Sequence, residues 1–130
     1  MGKTLNTGTL SFFMQKMNVH TMVERVRPIP DVAHHVFELA RKEGRPITKI
    51  LYSDAYEFGD ADMLFMPSGI DFVLITPHSG YDDNIRRKLS QRRIGIGDMT
   101  KLMAALNVHE MWTFRLKSEK KKDEEEGWAN

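Results

Sequence analysis

The sequence predicts a single α/β domain, a small mixed sheet with flanking helices, followed by a charged tail without fixed structure. Three observations lead there. Residues 72–75, Phe72-Val73-Leu74-Ile75, form an apolar run without polar alternation, the pattern of a strand covered on both faces. Beyond them, segments with helical spacing alternate with a short isoleucine-rich stretch at Ile94 and Ile96. The 130 residues, 41% hydrophobic and 28% charged, suffice for one core and leave little room for a second. The expected division is residues 1–116 as the domain and 117–130 as the tail.

In chain order, residues 9–17 admit either a strand or a short helix. Residues 22–27 alternate in part, as a strand does. Pro28-Ile29-Pro30 forbids a helix before Asp31. From Asp31 a helix is expected, because its carboxylate suits a first turn and Val32, Val36, Leu39 and Ala40 fall on one helical face. Gly44 ends it, with Arg45-Pro46 beyond. Residues 47–66 read as a helix broken near Gly59, on the shared face of Ile47, Leu51, Ala55, Phe58 and Phe65. Lys49-Ile50-Leu51-Tyr52-Ser53 taken alone also fits a short strand. Met66-Pro67-Ser68-Gly69 is a turn leading into the 72–75 strand.

The back half continues the alternation. Asp82 or Asp83 starts a helix with Ile85 and Leu89 inward, Ile94 and Ile96 make a short buried strand, and Asp98 caps a helix carrying Leu102, Ala105 and Leu106. Residues 110–116 alternate, with Trp112, Phe114 and Leu116 on one face, and read as a last strand. Lys117, Lys120, Lys121 and Lys122 then stand among Glu119, Asp123, Glu124, Glu125 and Glu126. So little apolar area cannot offset the entropy of ordering, and a solvated tail is expected, with Trp128 its one residue suited to docking.

Composition excludes several classes. The chain has no cysteine, which removes disulfide frameworks, cysteine zinc sites and thiol nucleophiles. Its apolar clusters fall short of the roughly 18 residues a membrane span needs, so no membrane partner is expected and the cytoplasm is the expected location. The formal net charge of +1 does not by itself point to nucleic acid. Gly95 and Gly97 lack the third glycine of a dinucleotide fingerprint, and Asp98 would set a carboxylate where a pyrophosphate belongs. No cofactor is expected.

The series Phe72-Val73-Leu74-Ile75-Thr76-Pro77, Ser79-Gly80-Tyr81, a polar helix, Ile94-Gly95-Ile96-Gly97-Asp98 and residues 102–106 resembles the final strand-helix-strand-helix portion of restriction-endonuclease-like domains of the Mrr type. That family's metal-dependent chemistry uses an Asp, and an acidic or Gln residue separated by one residue from a following Lys, on the preceding strands. Between Asp31 and Asp71 no Glu-x-Lys, Asp-x-Lys or Gln-x-Lys triplet occurs, so the resemblance implies a copy without its catalytic motif.

Candidate sites follow from charge. Arg86, Arg87, Lys88, Arg92 and Arg93 form the densest basic set, suited to phosphates of DNA or RNA; a solvated helix pairing with acidic neighbours accounts for the same letters. Asp54, Glu57, Asp60 and Asp62 cluster around Gly59, and Asp54, Asp60 and Asp62, with His78 near Asp82 and Asp83, are the candidate metal ligands. His34 and His35 are adjacent and so diverge on a helix. The leading expectation is a small intracellular, non-enzymatic, nucleic-acid-associated protein. The alternatives are a metal-dependent nuclease or phosphohydrolase using Asp54, Asp60, Asp62 or Asp71, and a protein–protein interaction module or homodimer joined through the 110–116 strand.

Overall fold

Helix α1 spans Thr7–Val19 and begins where the Asn6 side chain accepts a hydrogen bond from the Thr9 amide at 2.7 Å. The computed structural model describes residues 5–128. Phe13 and Met17, one helical turn apart, bury the inner face of α1, and the Phe13 ring lies 4.5 Å from Phe37 and 5.6 Å from Tyr52. The open choice at residues 9–17 thus resolves to helix.

Strands β1 (Val23–Ile29), β2 (His35–Arg41), β3 (Thr48–Tyr52), β4 (Phe72–Leu74) and β5 (Gly95–Gly97) lie in that order in one five-stranded sheet. The first three form an antiparallel meander, whereas β4 pairs parallel with β3 and β5 parallel with β4. Crossovers carry α2 (Asp60–Phe65) and α3 (Asp83–Gln91), and α4 (Met99–Ala105) follows β5. The result is the small α/β domain with a mixed sheet that the sequence predicts.

Two cores sandwich the sheet. Phe37, Leu39, Ile50, Tyr52, Phe72 and Leu74 pack with α1 and with Leu102 and Ala105 of α4. Val36, Leu51, Val73 and Ile96 pack the other face, with Met63 of α2 and Ile85 and Leu89 of α3. At about 25 cal/mol per Å² of apolar area, side chains buried on both sheet faces supply the main driving force. Gly95 is required here, because a Cβ would lie 2.7 Å from the Phe72 ring.

Three expected elements are corrected. Residues 31–40 are no helix: Asp31 accepts from the amides of Ala33 and His34 to close a turn, and β2 follows. Burial on both faces of β2 gave its apolar residues a spacing that imitates a helical face, while Val32, assigned to that face, is 98% exposed. Residues 47–66 split into β3 and the single short helix α2, because Ile50, Leu51 and Tyr52 are buried on alternate faces of the sheet. Gly59 does mark the break, as the residue before α2.

Residues 110–116 form a 3₁₀ turn, Met111–Thr113, instead of a strand. Met111 caps the core beside β5, and the Thr113 hydroxyl donates to the Glu110 carbonyl at 2.7 Å, so the local turn satisfies groups that a ladder would otherwise take. A dimer through a Trp112-Phe114-Leu116 edge strand therefore loses its basis.

The tail expected from residue 117 is also corrected, since Lys117–Glu125 forms helix α5. The Leu116 amide donates to the Glu119 carboxylate at 2.9 Å and starts it. Glu119 and Asp123 are buried, so charge pairing rather than apolar area orders the segment. Trp128 docks against Arg87 and Arg115, whereas Ala129 and Asn130, also assigned to that tail, lie outside the described residues.

Candidate functional site

The edge of the sheet where β3, β4 and β5 end carries two distinct assemblies, and parallel α/β sheets place their ligands at such an edge. The first is a charged seam. Asp82 caps α3 by accepting from the Ile85 amide at 2.8 Å, and the helix then turns Arg86 inward until it is 2% exposed. Arg86 donates from Nη2 to Asp123 Oδ1 at 2.7 Å and from Nη1 to Asp123 Oδ2 at 3.0 Å, a bidentate pair, and also reaches Asp83 at 3.1 Å.

Arg87 donates to the same Asp123 at 3.1 Å and pairs with Glu126. Arg115 reaches Asp123 at 3.3 Å, Ser90 Oγ at 3.0 Å and the Trp112 carbonyl. Lys101, in the first turn of α4, meets Glu119 at 2.9 Å, and Tyr81 donates its hydroxyl to Glu119 at 3.0 Å. Burial works against the Arg86 charge, yet hydrogen bonds to Asp123 and Asp83 hold its pKa above the usual range. The Arg86 contact does the opposite for Asp123, whose pKa falls to about 2 although burial opposes the shift. Burial pushes Lys101 down and Tyr81 up.

Of the five basic residues expected to face phosphate, Arg86 and Arg87 therefore lie under α5. Lys88 pairs at the surface with Asp60 at 2.8 Å. Arg92 and Arg93 are exposed, with Arg93 5.6 Å from the Trp112 ring. The seam's other members, Tyr81, Lys101, Arg115, Glu119 and Asp123, escape a reading by charge density. Glu119, Asp123 and Glu126 do recur at i, i+4 and i+7, the spacing of one helical face, and that is the signal that finds them.

The second assembly is a groove of about 660 Å³ behind β3. Ala33, His34 and His35 form one wall, Ala61, Asp62 and Phe65 of α2 the other, and Phe58 lies buried in the lining. Its shape is held by loop-to-loop bonds: the Ser53 amide donates to the Leu74 carbonyl at 2.8 Å, the Phe58 amide to the Gly80 carbonyl at 2.9 Å, and the Gly80 amide to the Tyr56 carbonyl at 3.0 Å. Ser79 Oγ donates to the Ala55 carbonyl at 2.8 Å. Tyr56 and Phe65 line the groove yet remain 81% and 73% exposed. Leu64, next to Phe65, is 75% exposed.

The groove's polar groups are few. His34 Nδ1 lies 3.2 Å from Asp31 Oδ1, which also accepts the His34 amide at 2.8 Å. Desolvation opposes the Asp31 charge, but the hydrogen bond from the Ala33 amide together with those from His34 keeps its pKa below the ordinary carboxylate value. Ser53 Oγ accepts from the Ala55 amide at 3.1 Å. An imidazole held by a carboxylate on one loop and a serine held by its own turn on another give a polar rim, with no serine–histidine bond between them.

The candidate metal ligands scatter. Asp54 and Asp62 line the groove, and Asp62 accepts from the Gly59 amide at 2.9 Å. Asp60 is taken by Lys88, and His78 sits exposed in the turn after β4. Asp71 pins the start of β4 to β3, accepting from the Lys49 amide at 2.8 Å, and burial raises its pKa. Among the described residues no three His, Asp or Glu side chains are grouped to hold a metal ion. No helix among them is long and apolar enough to cross a membrane. No family model matches the chain, and neither a curated protein nor a solved structure matches it.

Proposed function

We propose that the protein is a non-enzymatic interaction module whose groove behind β3 receives an apolar segment, bearing a basic residue, of a partner protein. The observation that carries this reading is the exposure of Tyr56, Leu64 and Phe65 around an apolar groove whose loops are already pinned. Large rings left in water mark surfaces that a partner covers. A small enclosed molecule would reach the groove but leave the outer rings wet, so a larger partner fits better. The basic residue follows from the rim, where Asp54 and Asp62 line the opening and exposed Glu57 adjoins Tyr56.

Selection of a displayed random peptide library against the full chain tests the reading. The enriched peptides are expected to combine an aromatic or large aliphatic anchor with Lys or Arg, and to lose binding to a Phe65→Ser variant of unchanged melting temperature. Peptides that bind the variant equally well, or no enrichment at all, would sink the proposal. A concentration-dependent dimer that Phe65→Ser abolishes would instead identify a second copy of the chain as the occupant.

A further inference from the structure

The charged seam supports an inference independent of the groove. Among the described residues, the cations Arg86, Arg87, Lys101 and Arg115 face the carboxylates of Asp83, of Glu119 and Asp123 in α5 and of Glu126 at its C-cap, while Lys122 of α5 pairs in return with Asp83 at 3.0 Å. The cations belong to α3, α4 and the segment after the 3₁₀ turn. The neutralising charge is thus carried almost entirely by α5 and its C-cap residue.

That helix has an unusual attachment. Its sequence, Lys-Ser-Glu-Lys-Lys-Lys-Asp-Glu-Glu, contains no apolar residue. It is held by ion pairs, by the Tyr81 hydroxyl on Glu119 and, one turn beyond its end, by Trp128 against Arg87 and Arg115. For such a contact the desolvation of each ion largely cancels the attraction, so the net docking energy is far smaller than the number of bonds suggests. Undocking restores water to both sides and exposes no apolar face of the helix.

The exposed body would then present a built anion site. Arg86 grips the Asp123 carboxylate with a two-pronged fork, the geometry a guanidinium also uses on a phosphate. Arg87 and Arg115 converge on the same carboxylate, and Lys101 and Tyr81 on Glu119. At about 1.5 Å rise per residue, positions 119 to 126 spread their carboxylates over roughly 10 Å, a length that a few successive phosphates of one strand also cover.

We propose that Arg86, Arg87, Lys101, Arg115 and Tyr81 form a binding site for a phosphate chain, and that the carboxylates of α5 occupy it as stand-ins for phosphate until the ligand displaces the helix. The shared chemistry is a run of phosphate oxyanions, supplied by a nucleic-acid strand or by a small polyphosphate. The expected association with DNA or RNA thereby moves from an open helix face to a site that α5 must vacate.

The test uses the full chain with two probes, a short single-stranded oligothymidylate and inorganic tripolyphosphate, at matched ionic strength. In the wild type, saturating probe is expected to speed amide hydrogen exchange across residues 117–125 about tenfold or more while the sheet stays protected. Glu126→Gln removes only an exposed partner of Arg87, so the fold survives it, and it should tighten binding several-fold. Glu119→Gln with Asp123→Asn and Glu126→Gln should tighten it further, and adding Arg86→Gln should erase the gain. Response to both probes identifies a nucleic-acid-sized site; response to tripolyphosphate alone identifies a small phosphate ligand. Binding that leaves α5 exchange unchanged, or no binding by either the wild type or Glu126→Gln at low salt, overturns the proposal.

Discussion

The groove behind β3 and the seam beneath α5 share one edge of the sheet, yet they are finished in opposite ways. The groove leaves aromatic rings in water and keeps its backbone pinned; the seam removes charged groups from water and covers them with a helix that has nothing apolar to bury. Exposed apolar area costs free energy until something covers it, whereas a buried charge is tolerated only while its partner stays. The groove is thus open apolar surface, and the seam an interface already filled by the chain itself.

The contrast is sharpest at Arg86. Replacing it with Met leaves Asp83, Glu119 and Asp123 together without their central cation. Breaking a fully enclosed pair costs about 3–5 kcal/mol. If α5 undocks instead, its carboxylates return to water and the loss stops at the docking energy. We therefore expect Arg86→Met to lower stability by about 2 kcal/mol and to strip exchange protection from residues 117–125 selectively. A loss of the full amount, with α5 and the sheet unfolding together, would make α5 an integral part of the core and erase the contrast.

An acid titration probes the same seam with a slightly smaller effect. The pKa of Asp123 is depressed in the fold from 3.8 to about 2, so the unfolded chain takes up this proton first as pH falls. The resulting stability is present above pH 4 and is lost as pH falls through about 2. Its size is on the order of 2 kcal/mol at most, less whatever α5 undocking spares. Urea denaturation of the wild type and Asp123→Asn across this range should show a stability gap at neutral pH that closes in acid. A gap that stays constant would assign the stabilisation to packing rather than to charge.

Much of the fold was legible where side chains and backbone make the same demand. Asp98 caps the helix it was assigned to, Asp82 is the cap of the two residues offered for the other, and Ile85, Leu89, Leu102 and Ala105 face inward as their spacing requires. Legibility failed in strands buried on both faces, where Val36, Leu39 and Leu51 lose the alternation that marks a half-exposed strand and fall by chance on a helical period. It failed again at the seam, because composition reports how much charge a segment holds but not that Arg86 and Lys101, far off in sequence, wait beneath it. Arg86 to Arg93 was recognised as a charged set, but not which of its members turn inward. The groove gave no signal of its own, since Tyr56 and Phe65 look like core residues until their exposure is known.

The groove offers the smallest effect on stability, and that smallness is what tests its openness. Tyr56 and Phe65 are mostly in water, so removing their rings deletes little buried area. Tyr56→Ser and Phe65→Ser should each leave the melting temperature nearly unchanged, with stability within about 0.5 kcal/mol of the wild type. Ser suits both positions, because it leaves a polar, small side chain in an exposed place. Phe65 lies at the last residue of α2, where fraying tolerates the change, and Tyr56 lies in a loop fixed by its carbonyl rather than its ring. A drop of more than about 1 kcal/mol in either variant would mean that the ring packs against the domain, and the surface would then be closed by the protein itself, as the seam is.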